Sequence, residues 1–495
     1  MSVRSAAAFA LTSQIVSFAI QFATSVILAR WFITPHELGL FSIAFAAVSL
    51  VGFLQDFGVN RYITGERGLD DDRLHTAFTI SILFAWGVAL FALLLAAPIA
   101  WFYGNPGLLP LTLVIAGSYL LVPLAIVPQA LRQRALDYKS NTLIEVGSAV
   151  ANAAVAMTLA MRGHGALALA WGAFAQQAAR LVISQWRAGV VLPWPLRLAG
   201  ARPVLEIGAT NSVLAICNSI IARAPELMIG RLLSEVAVGL FARAAGLALQ
   251  LRLLVAGAVT GVFYPAFRQV RDEGKPLGPP YLRVVAAYTG VTWPAMAGIA
   301  VLAEPLIRFL YGDRWVAAAP LLLWVALAQC CYVALPLAGD LPLLFGRKRE
   351  LVRRSVIDTG ASLALLALAA PFGLVWVAAS RLVHGIAWIA IYGGMMRRML
   401  GYRNSELIGI HARSLVATVA AVLPALVLYL VWDGPSAAGF AQMASGGAIG
   451  IALWLVTLRA TRHPAWTEIA ATAVQLLKGR RFLPFRGKLP EPNLR

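Results

Sequence analysis

Apolar residues along this chain come in continuous runs of about twenty, the length that crosses a bilayer as a helix. They predict helices near 9–30, 38–58, 77–101, 108–128, 141–161, 165–187, 206–224, 235–264, 282–303, 316–344, 355–371, 374–396, 412–432 and 440–459. The runs are long and unbroken, whereas an outer-membrane barrel reads as short alternating segments. The connections are short, with exterior loops of about twelve residues expected around 224–235 and 304–315. The opening stretch MSVRSAAAFALTSQIVSF runs on towards Trp31 with no early small-residue cleavage site, which predicts a retained first helix. The pattern predicts an all-α, polytopic membrane protein of about fourteen spans.

Composition strengthens that expectation. Of 495 residues 60% are hydrophobic and 13% charged, against about 25% charged in a typical soluble domain. The net charge of +19 would suggest nucleic acid in a soluble chain. Here its placement explains it: thirty-one Lys and Arg fall on the side of the termini, six on the other side and four within spans. Positive residues mark cytoplasmic loops, so both termini are expected in the cytoplasm and the basic rim is expected to face anionic lipid. No nucleic-acid partner is expected.

The two halves repeat locally. Gly39-Leu40-Phe41 follows Arg30, and Gly239-Leu240-Phe241 follows Arg231. Phe102-Tyr103-Gly104-Asn105 after the third span is matched by Leu310-Tyr311-Gly312-Asp313 after the ninth. An offset of six spans keeps each helix direction, giving parallel repeats about an axis normal to the membrane. The expected organisation is a six-helix lobe over 1–200, a second over 201–400, two additional helices over 401–460 and a basic tail over 461–495.

Polar side chains within spans face neighbouring helices or water, so their helical phase is informative. Span five aligns Asn141, Glu145, Ser148 and Asn152; span six aligns Gln176, Arg180 and Ser184; span one aligns Ser13, Ser17, Gln21 and Thr24. Arg243 and Gln250 share a face of span eight; Gln329, Tyr332 and Asp340 one of span ten; Arg381, His384 and Trp388 one of span twelve. Serines and threonines in such stripes commonly bind helices to each other. Four intramembrane arginines, Arg180, Arg243, Arg252 and Arg381, instead require anionic partners or a wet cavity. Glu145, Glu226, Asp340 and Asp358 could neutralise some of them. A cationic, water-lined cavity suits a diphosphate, which guanidinium binds bidentately. The expected substrate contacts are Arg180, Arg243, Arg381, Gln176, Asn152, Gln250, Gln329 and Trp388; Glu145, Asp340, Asp358 and His384 are candidates for ion coupling. Trp388, Tyr332 and Trp171 read either as sugar-stacking rings or as lipid-facing ones, and His384 as a proton relay or a hydrogen-bonded structural histidine.

Enzyme signatures are missing from the pattern. No glycine-rich loop leads into Lys-Ser or Lys-Thr, so no nucleotide hydrolysis and no cofactor are expected. Cys217, Cys330 and Cys331 lie inside apolar runs without metal-ligand spacing, so neither a disulfide framework nor a metal site is expected. Asp70-Asp71-Asp72 reads as a solvated helix cap before span three.

Several stretches resemble Wzx-type polysaccharide flippases, closest to their exopolysaccharide-exporter branch. They are ILARWFITPHELGLFSIAFA with LQDFGV, IVPQALRQRALDYKS, ELMIGRLLSEVAVGLFARAAGLALQ with FYPAF, and EPLIRFLYGDRW, in the family's order. Arg134 and Arg243 fall within these segments, while Glu235 stands where the family pattern favours glycine. The resemblance implies the multidrug/oligosaccharidyl-lipid/polysaccharide exporter superfamily, with two six-helix lobes plus two helices. It implies an inner-membrane flippase that moves undecaprenyl-diphosphate-linked oligosaccharide by alternating access. The implied partners are that lipid-linked substrate, the bilayer, and polysaccharide polymerase or assembly proteins. The alternatives are another exporter of the superfamily, for lipid II or drugs, and a membrane polymerase or ligase. Catalysis of the last kind would need a sizeable exterior loop carrying Arg or His, and none is evident.

Overall fold

A computed structural model describes residues 3–466 except 53–54, 56–57, 66–67, 136, 189–194, 199, 273–275, 432–433 and 435–438. The tail expected from 461 therefore lies outside the described residues from 467 onward. Every regular element among the described residues is helical. In chain order they are α1 (Val3–Ile27), α2 (Pro35–Gly52), α3 (Val59–Gly65), α4 (Asp71–Tyr103), α5 (Leu108–Ser118) and α6 (Val122–Arg134). Next come α7 (Tyr138–Met161), α8 (Ala166–Ala188), α9 (Arg202–Leu232), α10 (Glu235–Asp272), α11 (Gly278–Val301) and α12 (Ala303–Tyr311). The last six are α13 (Ala319–Val333), α14 (Leu341–Leu344), α15 (Lys348–Ala369), α16 (Leu374–Leu400), α17 (Asn404–Val431) and α18 (Phe440–Ala460). Fourteen segments among the described residues are long and apolar enough to cross a membrane.

Helix ends follow local chemistry. Asp70 caps α4 by accepting from the Arg73 amide at 2.8 Å, and Asp72 pairs with Arg197, so the aspartate run is the expected cap. Asp137 caps α7 through the Ser140 amide at 3.2 Å. The Ser140 side chain's hydrogen bond is the main cause holding its carboxyl below the usual aspartate range, helped by this amide and by Arg132 and Arg187. The span-four run is three pieces, with α5 passing through a single turn at Tyr119–Leu121 into α6, where Pro123 and Pro128 lack the donors a continuous helix needs.

Three expected boundaries change. The second span stops at Gly52 instead of residue 58, and α3 forms separately after Gly58, whose φ is +74°. The tenth ends at Val333, because Pro336 cannot continue the helix and Leu337 takes a left-handed φ of +59°. Asp340 then begins α14 and cannot share a helical face with Gln329 and Tyr332. The expected exterior loops are largely helical: α9 passes through Pro225 to Leu232, placing Arg223 within the span, and α12 occupies 303–311.

The chain forms two compact units. The first comprises Met1–Leu247, Leu306–Val325 and Arg347–Ala387; the second Ala248–Pro305, Ala326–Gly346 and Trp388–Arg495. In the first, α7 packs along α8 and against α1, α4 packs on α5, and α9 lies between α2 and α15. In the second, α17 packs against both α11 and α18. A buried hydrogen-bond chain fixes the end of α18 there. His463 Nδ1 accepts from the Ala465 amide at 3.1 Å, so its other nitrogen donates to Ser414 Oγ at 3.0 Å, which reaches Thr289 Oγ1 at 2.9 Å. Burial pushes the His463 imidazole down to about 4, which keeps it neutral in this chain of bonds.

Candidate functional site

Two neighbouring helices of the first unit carry a polar seam. On α7, Glu145 and Asn152 lie seven residues apart; on α8, Gln176 and Arg180 lie four apart. Arg180 Nη2 donates to Glu145 Oε2 at 3.2 Å, Gln129 Nε2 of α6 donates to Glu145 Oε1 at 3.2 Å, and Asn152 Nδ2 donates to Gln176 Oε1 at 3.2 Å. The charged pair is not dry: its side chains remain 29% and 41% exposed. Of the arginines expected to meet substrate, Arg180 combines a carboxylate partner with remaining access.

Arg243 lies one turn beyond a close crossing of α2 and α10. Thr34 and Ser234, 200 residues apart, both cap the helix that follows. Thr34 Oγ1 accepts from the Glu37 amide at 3.3 Å, and Ser234 Oγ from the Ala237 amide at 3.2 Å. The two helices thus begun, α2 and α10, cross on Gly39 and Gly239. A Cβ on Gly39 would overlap the Glu235 carbonyl oxygen, and one on Gly239 would overlap that of Pro35. Since 35 matches 235 and 39 matches 239, the contact is self-complementary, as a two-fold relation requires.

The contacts around the crossing differ from one side to the other. Tyr103 donates to the Leu227 carbonyl at 3.0 Å, and Trp315 Nε1 to the Ala29 carbonyl at 2.9 Å. Arg231 stacks on Phe102, 5.1 Å from its centroid, while Arg30 hydrogen-bonds the Phe309 carbonyl. Arg243 lies 4.7 Å from the Tyr311 centroid and 5.0 Å from that of Trp315, and donates to Ser25 Oγ at 2.6 Å. Ring faces and a hydroxyl therefore surround this guanidinium.

Arg381 is held differently. It is 8% exposed and donates through Nη1 to Ser362 Oγ at 2.9 Å and through Nη2 to His384 Nδ1 at 3.1 Å. A guanidinium has donors alone, so Nδ1 is the acceptor and the ring proton resides on Nε2. That proton meets Asp358 Oδ1 at 2.9 Å. A neutral imidazole thereby bridges the arginine and aspartate charges, and a second ring proton would point at the guanidinium. Asp358 is 3% and His384 1% exposed, which makes this a closed network.

The remaining expected residues belong to the second unit. Trp388 lies between Tyr332 and Tyr392, with centroids at 5.9 and 5.3 Å. Gln329 is 8% exposed and its Oε1 has no hydrogen-bond partner among the described residues. Gln250 is half-buried on α10, and Asp340 is exposed before α14. Thus Arg180, Glu145, Asn152 and Gln176 form one cluster, Arg381, His384 and Asp358 another, and Arg243 stands in a third setting. Sequence phase alone missed Gln129, Ser25, Ser362 and Tyr392. Tyr311 and Trp315 lie within the quoted FLYGDRW stretch, the one signal that pointed to them. No group of three or more His, Cys, Asp or Glu among the described residues could hold a metal ion.

Fourteen apolar spans with charged clusters along their packing define a polytopic helical membrane protein. The chain belongs to the polysaccharide biosynthesis protein family, whose model matches residues 27–320. It is 25% identical over 472 residues to the succinoglycan biosynthesis transport protein ExoT of Rhizobium meliloti, covering 90% of both chains. The lipopolysaccharide biosynthesis protein WzxC of Escherichia coli is 23% identical, covering 60% of both chains. Among solved structures, the lipid II flippase MurJ in an inward closed conformation superposes with a TM-score of 0.71 at 14% identity, covering 91% of this chain and 97% of that one. An inward-facing multidrug transporter of the MOP superfamily follows at 0.57 and 15% identity, covering 79% and 95%. The fold is shared with these two structures.

Proposed function

We propose that the protein is a flippase for lipid-linked oligosaccharide in bacterial polysaccharide biosynthesis, carried on an undecaprenyl diphosphate and moved across the inner membrane by alternating access. Membership of the polysaccharide family, with a relative named a transport protein spanning 90% of the chain, carries this reading. The partly exposed Arg180–Glu145 pair, continued by Asn152 and Gln176, gives a sugar diphosphate a cationic and a hydrogen-bonding surface on adjacent helices. Both termini lie in the cytoplasm under the positive-inside rule, which puts the Gly39–Gly239 crossing at the exterior ends of its helices. Repeats 1–200 and 201–400 are the rocking halves, and their glycine contact is the closed exterior end. Asp358, screened by His384 and Arg381, and Glu145 are the groups through which a proton or sodium gradient acts, with Asp340 a third, exposed carboxylate. Polymerase or assembly proteins of the pathway are its partners. The role is transport, without catalysis or cofactor.

The test is reconstitution of the full chain in proteoliposomes with fluorescent undecaprenyl-diphosphate oligosaccharide, scored by accessibility to an external lectin. Wild-type protein is expected to expose substrate faster than empty vesicles. Arg180→Gln is expected to slow exposure at least tenfold, because removing the cation leaves Glu145 without its counter-charge. No acceleration by wild-type protein, with or without an imposed ion gradient, rejects the flippase reading.

A further inference from the structure

The four arginines expected within spans from the sequence differ in what balances them. Arg180 has Glu145, Arg381 reaches Asp358 through His384, and Arg243 has two aromatic faces and Ser25. Arg252, in the second unit, has none of these. It is half-buried on α10, forms no ion pair with a carboxylate among the described residues, and leaves its Nε unpartnered. Among the described residues, the Tyr288 hydroxyl of α11 is its polar partner. A guanidinium placed among apolar helices costs several kcal/mol unless an anion or water compensates it.

The surroundings supply further unmet hydrogen bonds. Thr292, one turn beyond Tyr288 on the same face of α11, is fully buried with Oγ1 unpartnered. The next residue, Trp293, donates to the Cys330 carbonyl of α13 at 2.8 Å, which brings α11 and α13 together at that level. Gln329 immediately precedes Cys330 and holds its own buried, unpartnered Oε1. Trp293 also stacks on His411 of α17 at 5.2 Å, closing that side with rings. Buried polar groups in native proteins are almost always satisfied, so unsatisfied ones on the α11 face that carries Tyr288 and on adjoining α13 mark a place for a ligand or ordered water.

We propose that Arg252 and Tyr288, with Thr292 and Gln329 behind them, form a phosphate-binding site of the second unit, where the guanidinium grips phosphoryl oxygens and the hydroxyl donates to them. The site rests on the flippase reading for its physiological ligand, the diphosphate of the lipid carrier. An anionic phospholipid headgroup has the same chemistry and is separated by the experiment. Arg252 and Arg243 lie nine residues apart on α10, half a turn out of phase, so the two arginines serve opposite faces.

Undecaprenyl diphosphate, undecaprenol and phosphatidylglycerol serve as probes, each titrated into the purified full-length protein in detergent and followed by native mass spectrometry. Expected are binding of the diphosphate by wild type, at least tenfold weaker binding by Arg252→Gln, two- to fivefold weakening by Tyr288→Phe, partial retention by Arg252→Lys, and unchanged binding of undecaprenol throughout. Should Arg252→Gln lose phosphatidylglycerol while keeping the diphosphate, the phosphate site stands and bilayer lipid is its ligand. Equal binding of both anionic probes by wild type and a monodisperse Arg252→Gln overturns the site. Transport by wild-type proteoliposomes together with that equality would sink the site and leave the flippase reading standing; absence of transport by wild type would sink the flippase reading.

Discussion

The contact that α2 makes at the repeat crossing and the one that α10 makes are built on matching positions, yet they end in different chemistry. On the first side Ile43 and Tyr103 close over Gly230, where an added Cβ would stand 2.8 Å from Ile43 Cδ1 and 3.2 Å from Tyr103. On the second side the position 200 residues later is Arg243, and it meets Tyr311, Trp315 and Ser25. The two sides share the backbone crossing and a neighbouring tyrosine, and one carries an aliphatic side chain where the other carries a caged cation. Backbone geometry is thus the shared constraint. The charge is an addition that aromatic faces tolerate, because a guanidinium over a desolvated ring gains about 2 kcal/mol.

The sharpest way to break this comparison is to fill the crossing. Gly39→Ala and Gly239→Ala each put a methyl into a carbonyl oxygen of the opposite helix, with no flexible side chain to give way. Each is expected to cost on the order of 3 kcal/mol or more and to lower the yield of monodisperse protein. Gly246→Ala, on α10 but with nothing near its Cβ, is expected to be neutral or slightly stabilising. The three free thiols, Cys217, Cys330 and Cys331, permit a thiol-reactive dye to report unfolding on heating. Comparable effects at 39 and 239 are required by a two-fold contact; a large loss at one and none at the other would show that the symmetry is superficial.

A smaller effect tests the divergence itself. Arg243→Ile restores the residue found at the matching position and is expected to keep the melting point within a few degrees, since a well-packed apolar side chain can replace a buried ion. Arg243→Ala is expected to cost about 2 kcal/mol more, leaving a space between Tyr311 and Trp315. If the isoleucine variant unfolds as readily as the alanine one, the cation is required for the contact and the two sides are not interchangeable.

These positions also show what the sequence made legible. Span number, helical class and the Gly39/Gly239 match are visible because hydropathy and the 200-residue offset are properties of the chain itself. The α7–α8 cluster follows from helical phase: residues at steps of three and four share a face whatever lies opposite. What phase cannot supply is the partner. It gave Arg243 and Arg381 the same standing as Arg180, although one is caged by rings from a distant segment and the other closed behind His384. It also left Arg252 out of the expected substrate contacts, although that arginine has no carboxylate partner among the described residues, and a missing contact has no signature in one sequence. The face expected to join Asp340 to Gln329 breaks for a local reason, because the helical phase counted from Gln329 stops before Pro336.

The smallest effect concerns the caps that start the two crossing helices. Thr34 and Glu37 form a reciprocal pair: the hydroxyl accepts from the Glu37 amide, and Glu37 Oε2 accepts from the Thr34 amide at 2.8 Å. Ser234 makes its half alone, because the residue at the matching position three further on is Ala237. Thr34→Ala is therefore expected to cost about 1 kcal/mol and Ser234→Ala about 0.5 kcal/mol, both well below the glycine substitutions. Installing Ala237→Glu would rebuild the missing half on the α10 side. It is expected to raise stability by a few tenths of a kcal/mol in wild type and by nothing in the Ser234→Ala background, where the carboxylate has lost its reciprocal hydroxyl. Ala237 is 9% exposed, so the new side chain must reach back along the helix to Ser234. A loss of stability on Ala237→Glu would mean that close packing of the second repeat forbids the cap that the first one uses, placing the divergence of the halves at the helix start as well as at Arg243.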